Sequence, residues 1–184
     1  MKTLSILVVI ISLTLSVEGL YAQRTVVKTP RRTVVHSPRG TVVYRNPVVV
    51  RPVTRLPASA VAIHYRNTAY YFNAGVFYAS QSGAYVRVAP PVGIRLAVLP
   101  AGYARVVTGT VPYYYYSGIF YTSAPGNEYV VVEAPVGAVI ETVPAEAVAI
   151  ELEGQKCVEY NGVIYRPVYR DGKKYYEVVG QLEE

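Results

Sequence analysis

The step Pro-Ala recurs at Pro57-Ala58, Pro100-Ala101 and Pro144-Ala145, 43 and then 44 residues apart, and the glycines Gly75, Gly118 and Gly162 keep the same two spacings. A period of this length marks one supersecondary unit used several times, each copy burying its apolar surface against a neighbour. Within each copy an aromatic block runs into an X-Gly step and a second aromatic strand. The pairs Ala74-Gly75, Ser117-Gly118 and Asn161-Gly162 are two-residue hairpin turns whose glycine takes positive φ without a Cβ penalty, Asn-Gly being the strongest signal of the three. In the second copy the pattern gives strands over 104–107, 113–116, 119–122 and 129–133, and a short element through 136–140. Period-two patterning dominates and helical periodicity is absent. The expectation is an all-β fold: an antiparallel meander of three repeats (56–98, 99–142 and 143–184) curling into a sandwich or small barrel.

A two-residue turn fixes which side chains oppose each other, and strand alternation sorts them into faces. Tyr71, Asn73, Val76 and Tyr78 share one face in the first copy, as do Tyr114, Tyr116, Ile119 and Tyr121 in the second and Val158, Tyr160, Val163 and Tyr165 in the third. That face keeps a β-branched residue and a closing tyrosine in every copy, so it is assigned to the core. The opposite face drifts from Phe72 to Tyr115 to Glu159, as a surface does. If exposed, Tyr70, Phe72, Phe77, Tyr113, Tyr115 and Phe120 form an aromatic platform for sugar rings or a protein partner; the competing reading buries both faces between layers. Pro91-Val92-Gly93 and Pro135-Val136-Gly137 connect one copy to the next. The third copy lacks such a segment and reads as a truncated cap.

Ahead of the repeats, Lys2 precedes a short apolar run from Leu4 to Leu15 and a Leu20-Tyr21-Ala22 step, the pattern of a secretory signal over 1–22. The run is too short and too interrupted for a bilayer span, so the mature chain is expected to be exported and without a transmembrane segment: periplasmic, on the outer membrane or extracellular. From 23 to 55 follows a basic leader in which Thr25-Val26-Val27, Thr33-Val34-Val35 and Thr41-Val42-Val43 recur every eight residues, with Pro30 and Pro38 at a fixed offset. Prolines so placed favour extended or polyproline-like chain, a tether reaching on the order of 100 Å when fully drawn out. The alternative is strand addition, since the Thr-Val-Val units and Val48-Val49-Val50 are strong strand formers able to pair with an exposed sheet edge.

Charge is segregated. Residues 23–127 hold twelve Lys/Arg and no Asp/Glu, whereas 128–184 hold five basic and eleven acidic residues. Such asymmetry calls for an anionic partner, or for the basic part to lie on the acidic part of the same or another molecule. Arg24, Lys28, Arg31, Arg32, Arg39, Arg45, Arg51 and Arg55 are the candidate contacts for an anionic envelope polymer or acidic glycan. Nucleic acid ranks below both, because an exported protein seldom meets it and the leader has no aromatic between its arginines except Tyr44. Catalytic and metal chemistry find little material: two histidines (His36, His64), one cysteine (Cys157) and one aspartate (Asp171) stand far apart. No catalytic residues, metal ligands or cofactor are assigned. The single cysteine excludes an intrachain disulfide and reads as a packed apolar residue. The functional expectation is a non-enzymatic envelope protein with a structural or attachment role; the alternatives are a glycan-binding module using the aromatic face and, third, a hydrolase with an unrecognised site.

The blocks from Tyr113 to Tyr121, from Tyr129 to Val132 and Pro135-Val136-Gly137 resemble a widespread group of exported bacterial proteins of unknown function, with Tyr-Tyr-Tyr-X-Gly-X-Phe-Tyr hairpins and Pro-Pro-X-Gly connections. The resemblance covers about residues 56–180. It implies an envelope location and a β fold and supplies no catalytic residues; the acidic third copy departs from the tyrosine-rich pattern.

Overall fold

The structure is a computed structural model that describes residues 51–182 and, as backbone only, three strands between residues 25 and 45. The signal-like segment 1–22 and Val48 to Val50 lie outside the described residues. The strands are β1 (Thr25–Thr29), β2 (Arg32–Ser37), β3 (Gly40–Arg45), β4 (Val61–Tyr65), β5 (Thr68–Asn73), β6 (Val76–Gln81), β7 (Ala84–Val88), β8 (Arg95–Leu96), β9 (Ala104–Thr108), β10 (Val111–Tyr116), β11 (Ile119–Ala124), β12 (Glu128–Val132), β13 (Val139–Ile140), β14 (Val148–Leu152), β15 (Gln155–Tyr160), β16 (Val163–Arg170) and β17 (Lys173–Gln181). No helix occurs among the described residues.

Each copy of the repeat makes one four-stranded antiparallel meander: β4 to β7, β9 to β12, and β14 to β17. The hairpin turns have the geometry read from the sequence. Ala74, Ser117 and Asn161 sit at φ 46°, 45° and 50°, and Gly75, Gly118 and Gly162 at 86°, 88° and 81°. Positive φ at both central residues is the type I′ turn, whose twist matches that of the flanking strands. The resulting registers pair Asn73 with Val76, Tyr116 with Ile119 and Tyr160 with Val163.

The connectors do more than turn the chain. Gly93 N donates to Val131 O (2.9 Å) and Val131 N to Ile94 O (2.8 Å); one period later Gly137 N donates to Val178 O (2.8 Å) and Val178 N to Ala138 O (2.9 Å). Each connector thus lays a short strand along the last strand of the following sheet, β8 on β12 and β13 on β17. Val53 does the same for the first sheet, exchanging two 2.8 Å bonds with Tyr85 in β7. The structural unit therefore begins one connector before the sequence repeat and staples consecutive copies through main-chain hydrogen bonds.

The sheets pack as layers and none closes into a barrel. One core cluster joins Phe77 of the first sheet to Ile119, Tyr121 and Val131 of the middle sheet, with Tyr70, Phe72, Tyr114 and Tyr116 packed against it. The other joins Val106, Tyr115 and Phe120 of the middle sheet to Val163, Tyr165 and Val178 of the third. The middle sheet is buried on both faces. Connector residues Ile94, Leu96 and Leu99 fill the first seam, and Ala134, Ala138 and Ile140 the second.

One contact recurs at each seam. The ring of Tyr116 lies over Gly75 of the preceding sheet, and the ring of Tyr160 lies over Gly118, each close enough to occupy the space a Cβ would need. Both tyrosines immediately precede their own hairpin turn. The equivalent residue of the first copy is Asn73, which has no earlier sheet to cover and accepts a hydrogen bond from Ser59 at 2.7 Å.

Two expectations are corrected. The leader is not an isolated extended tether over the described strands: β1, β2 and β3 form an antiparallel meander, and β3 pairs with β14 through Val42–Leu152, Val43–Glu151 and Tyr44–Ile150. The eight-residue period is the length of one strand plus its connection, and Pro30 and Pro38 fall between strands in the sequence, where a missing N–H costs no ladder bond. Nor is the third copy truncated, though it is an end layer of the stack. With the leader and β13 it forms the eight-stranded sheet, and its β16 and β17 run to 8 and 9 residues.

The glycine contacts give a graded expectation for alanine replacement, measured by urea midpoint. Gly162→Ala meets no side chain, only Leu182 O at 3.7 Å, and should cost about 1–2 kcal/mol for the left-handed backbone alone. Gly75→Ala and Gly118→Ala must also displace a tyrosine ring and should cost about 1–3 kcal/mol more; equal losses at all three would contradict the stacking. A second expectation concerns the hydroxyls of Tyr121 and Tyr165, which are buried without a hydrogen-bond partner. Each imposes an uncompensated desolvation cost of about 1–3 kcal/mol, so Tyr121→Phe and Tyr165→Phe should leave the melting temperature unchanged or raise it.

Candidate interaction surfaces

The layer order decides what the aromatic residues can reach. Phe77, Tyr115 and Phe120 are only 1%, 6% and 2% exposed, and Tyr70, Phe72 and Tyr113 are half-buried against the same clusters. Phe72 and Phe77 pack at 4.8 Å between centroids, Tyr115 and Phe120 at 5.0 Å, and Tyr115 donates its hydroxyl to Thr142 O at 3.0 Å. Phe77, Tyr115 and Phe120 are core and the other three pack against it, which agrees with the reading that buries these residues between layers rather than with an exposed platform. The physical reason is that the face they occupy meets the next sheet. In the first sheet the assignment is reversed outright: Tyr71, Asn73, Val76 and Tyr78, expected inside, are half-buried and belong to neither seam. The corresponding residues of the middle sheet are packed because an earlier sheet covers them.

In the third sheet the drifting face holds Cys157, Glu159 and Ile164. Cys157 and Ile164 are each 4% exposed and cluster with Ile150. Burial pushes the Cys157 thiol above its usual range, which keeps it protonated and unreactive. Glu159 replaces the aromatic of the other copies and turns its carboxylate onto its own hairpin, accepting a hydrogen bond from Gly162 N. Desolvation nevertheless outweighs that bond and holds its pKa above the ordinary 4.5.

Of the basic candidates, Arg24, Arg31 and Arg39 lie outside the described residues. Lys28, Arg32 and Arg45 belong to β1, β2 and β3, while Arg51 and Arg55 are exposed. Strand pairing therefore joins the basic leader to the body at β14, beside Glu151. Part of the charge asymmetry is resolved inside the molecule: Arg87 binds Glu146, and Arg95 binds Glu128 at 3.0 Å, two pairs that join the basic and acidic parts of the chain. His64 is exposed on β4.

A recess of about 100 Å³ opens where the first connector meets the turns of the middle and third sheets, lined in part by Pro90, Val92, Gly118, Glu133, Asn161 and Gln181. Glu133 is its one ionisable side chain, so the recess offers no acid and base in partnership. Among the described residues no group of three or more His, Cys, Asp or Glu side chains could hold a metal ion, and no helix is long and apolar enough to cross a membrane.

What the sequence did not disclose is the sheet edges. The first strand of each copy is an edge of its meander; leader strand β3 fills the one at β14, whereas among the described strands β4 and β9 end their sheets. Around β9 stand Val98 (74% exposed), Val107 (63%), Tyr103 and Val111. The Val106-Val107-Thr108 run signals a strand, but its place at an open edge depends on which copy the leader chooses.

The chain belongs to a family of unknown function, DUF6515, whose model matches residues 40–182 and so includes β3 as well as the three repeats. No curated protein and no solved structure matches it.

Ionisation of Glu159 has a thermodynamic signature. A carboxyl whose folded pKa is raised contributes stability that is complete below its unfolded pKa and is lost as pH rises through the folded value. Thermal melts of the wild type should therefore fall relative to Glu159→Gln as pH is raised from 4 to 7, the variant keeping the Gly162 contact through its amide oxygen. Parallel curves would refute the assignment.

Proposed function

For a member of this family we propose a non-enzymatic role at the cell envelope, in which the repeat stack is a rigid body and the basic leader attaches it to an anionic envelope polymer. The observation that supports this reading is the pairing of β3 with β14. It makes the three leader strands an extension of the third sheet, so that Lys28, Arg32 and Arg45 belong to strands tied to the body. Ordering the backbone in advance reduces the entropy lost when a polyanion is bound. The net charge of +6 favours the same class of partner. The signal-like start of the chain supports export as part of this reading, and the scattered ionisable residues suit attachment better than catalysis. Against the glycan alternative, its six aromatic residues are packed in the seams, and the recess beside Glu133 presents no second ionisable side chain to serve a hydrolase.

The test is binding to lipopolysaccharide micelles and to a neutral glucan, across a salt series, by the chain from Gln23 onward. Binding to the anionic probe should weaken at least about tenfold between 50 and 300 mM salt as screening shortens. The variant Lys28→Gln/Arg32→Gln/Arg45→Gln should lose most of it at low salt. Salt-insensitive binding, equal for the variant, would overturn the electrostatic reading; tighter binding to the neutral glucan would favour recognition by the body.

A further inference from the structure

The three copies present three equivalent edges, and one of them carries an added strand. Superposing the repeats by their 44-residue offset sets Val106 of β9 at the position of Ile150 in β14, and Val107 at that of Glu151. The registers agree: Ala104 pairs with Tyr115 just as Val148 pairs with Glu159. Ile150 and its counterpart Val106 are both buried, at 4% and 6% exposure, but Val148 and Glu151 of the occupied edge are half-buried where Ala104 and Val107 are exposed. On β9, Ala104, Arg105 and Val107 are all exposed. An uncovered edge strand flanked by Tyr103, Val107 and Val111 is a template for strand addition that proteins usually blunt.

Charge separates this edge from its filled counterpart. In the β3–β14 ladder Tyr44 lies opposite Ile150; continuing that antiparallel register by one residue sets Arg45 opposite Ala149. The same strand laid on β9 would set Arg45 opposite Arg105, because Arg105 is the counterpart of Ala149. Like charges directly opposed across a ladder are destabilising, and opposite charges are favourable. Arg105 therefore disfavours the leader at β9, and it has no ion pair of its own among the described residues.

We propose that the open edge of β9 docks an extended strand of a partner protein, antiparallel to Ala104–Thr108, that carries a carboxylate opposite Arg105 and apolar side chains beside Val107 and Tyr103. Main-chain hydrogen bonds to the edge supply the affinity, and the residue facing Arg105 sets the choice of partner. This goes beyond the leader's attachment role and uses a different part of the molecule, so either can fail without the other.

Two fluorescein-labelled peptides test it, Thr-Val-Thr-Glu-Thr-Val-Thr, whose valines fall opposite Val107 and Tyr103 when the Glu faces Arg105, and its Lys-centred twin, titrated with the chain from Gln23 onward and read by anisotropy. The Glu peptide should bind about five- to tenfold more tightly than the Lys peptide, the combined effect of one attraction gained and one repulsion avoided. Arg105→Glu, an exposed substitution that leaves the core untouched, should reverse the order. Binding of neither peptide, equal binding of both, or an order unchanged by Arg105→Glu would overturn the proposal, the last by moving the site to another edge such as β4.

Discussion

The seam between sheets rests on a tyrosine ring laid over a hairpin glycine. Tyr116 on Gly75 and Tyr160 on Gly118 bring each aromatic hairpin against the turn of the sheet before it, at a distance no Cβ would allow. The glycine is needed twice, once for its positive φ and once for its bare surface. The remaining packing follows from the contact. With the rings seated, Tyr121 and Tyr165 are driven to full burial, and their hydroxyls remain unpaired because the seam is lined by aromatic and aliphatic groups. The connectors reinforce the arrangement with main-chain bonds to the following sheet, so adjacent copies are joined by ladder and by core at once.

A stack of this kind has two ends, and the chain treats them differently. At the first end the tyrosine is replaced by Asn73, and Tyr71 and Tyr78 are left half-covered. At the other the aromatic of the interior copies is replaced by Glu159, a carboxylate turned onto its own hairpin. Strand addition, by contrast, enlarges the molecule sideways: the leader joins β14.

Local features were read with fidelity. The X-Gly steps fix type I′ turns at residues 74–75, 117–118 and 161–162, the aromatic runs on either side become β5/β6, β10/β11 and β15/β16, and the period places one meander per copy. Sidedness was harder. Alternation separates Tyr114 from Tyr115 but carries no information on how many layers flank a sheet. The middle copy is covered twice, the first copy only by the sheet after it, and a rule that gives all copies one core face must therefore fail at Phe77 and Tyr71. The leader posed the same difficulty: its prolines are compatible with a solvated tether or with strands whose connections contain them, and the availability of β14 as a partner decided between the two.

The sequence by itself determined the strands, the turns, the number of copies and the segregation of charge, because these depend on φ preferences, side-chain alternation and composition within a few residues. Tertiary structure alone decided which aromatic faces are buried, where the leader pairs and which edge stays open. Those outcomes depend on contacts between residues a full period or more apart, such as Tyr160 with Gly118 and Tyr44 with Ile150. A candidate binding surface here is what layer packing leaves uncovered, and no local pattern specifies that.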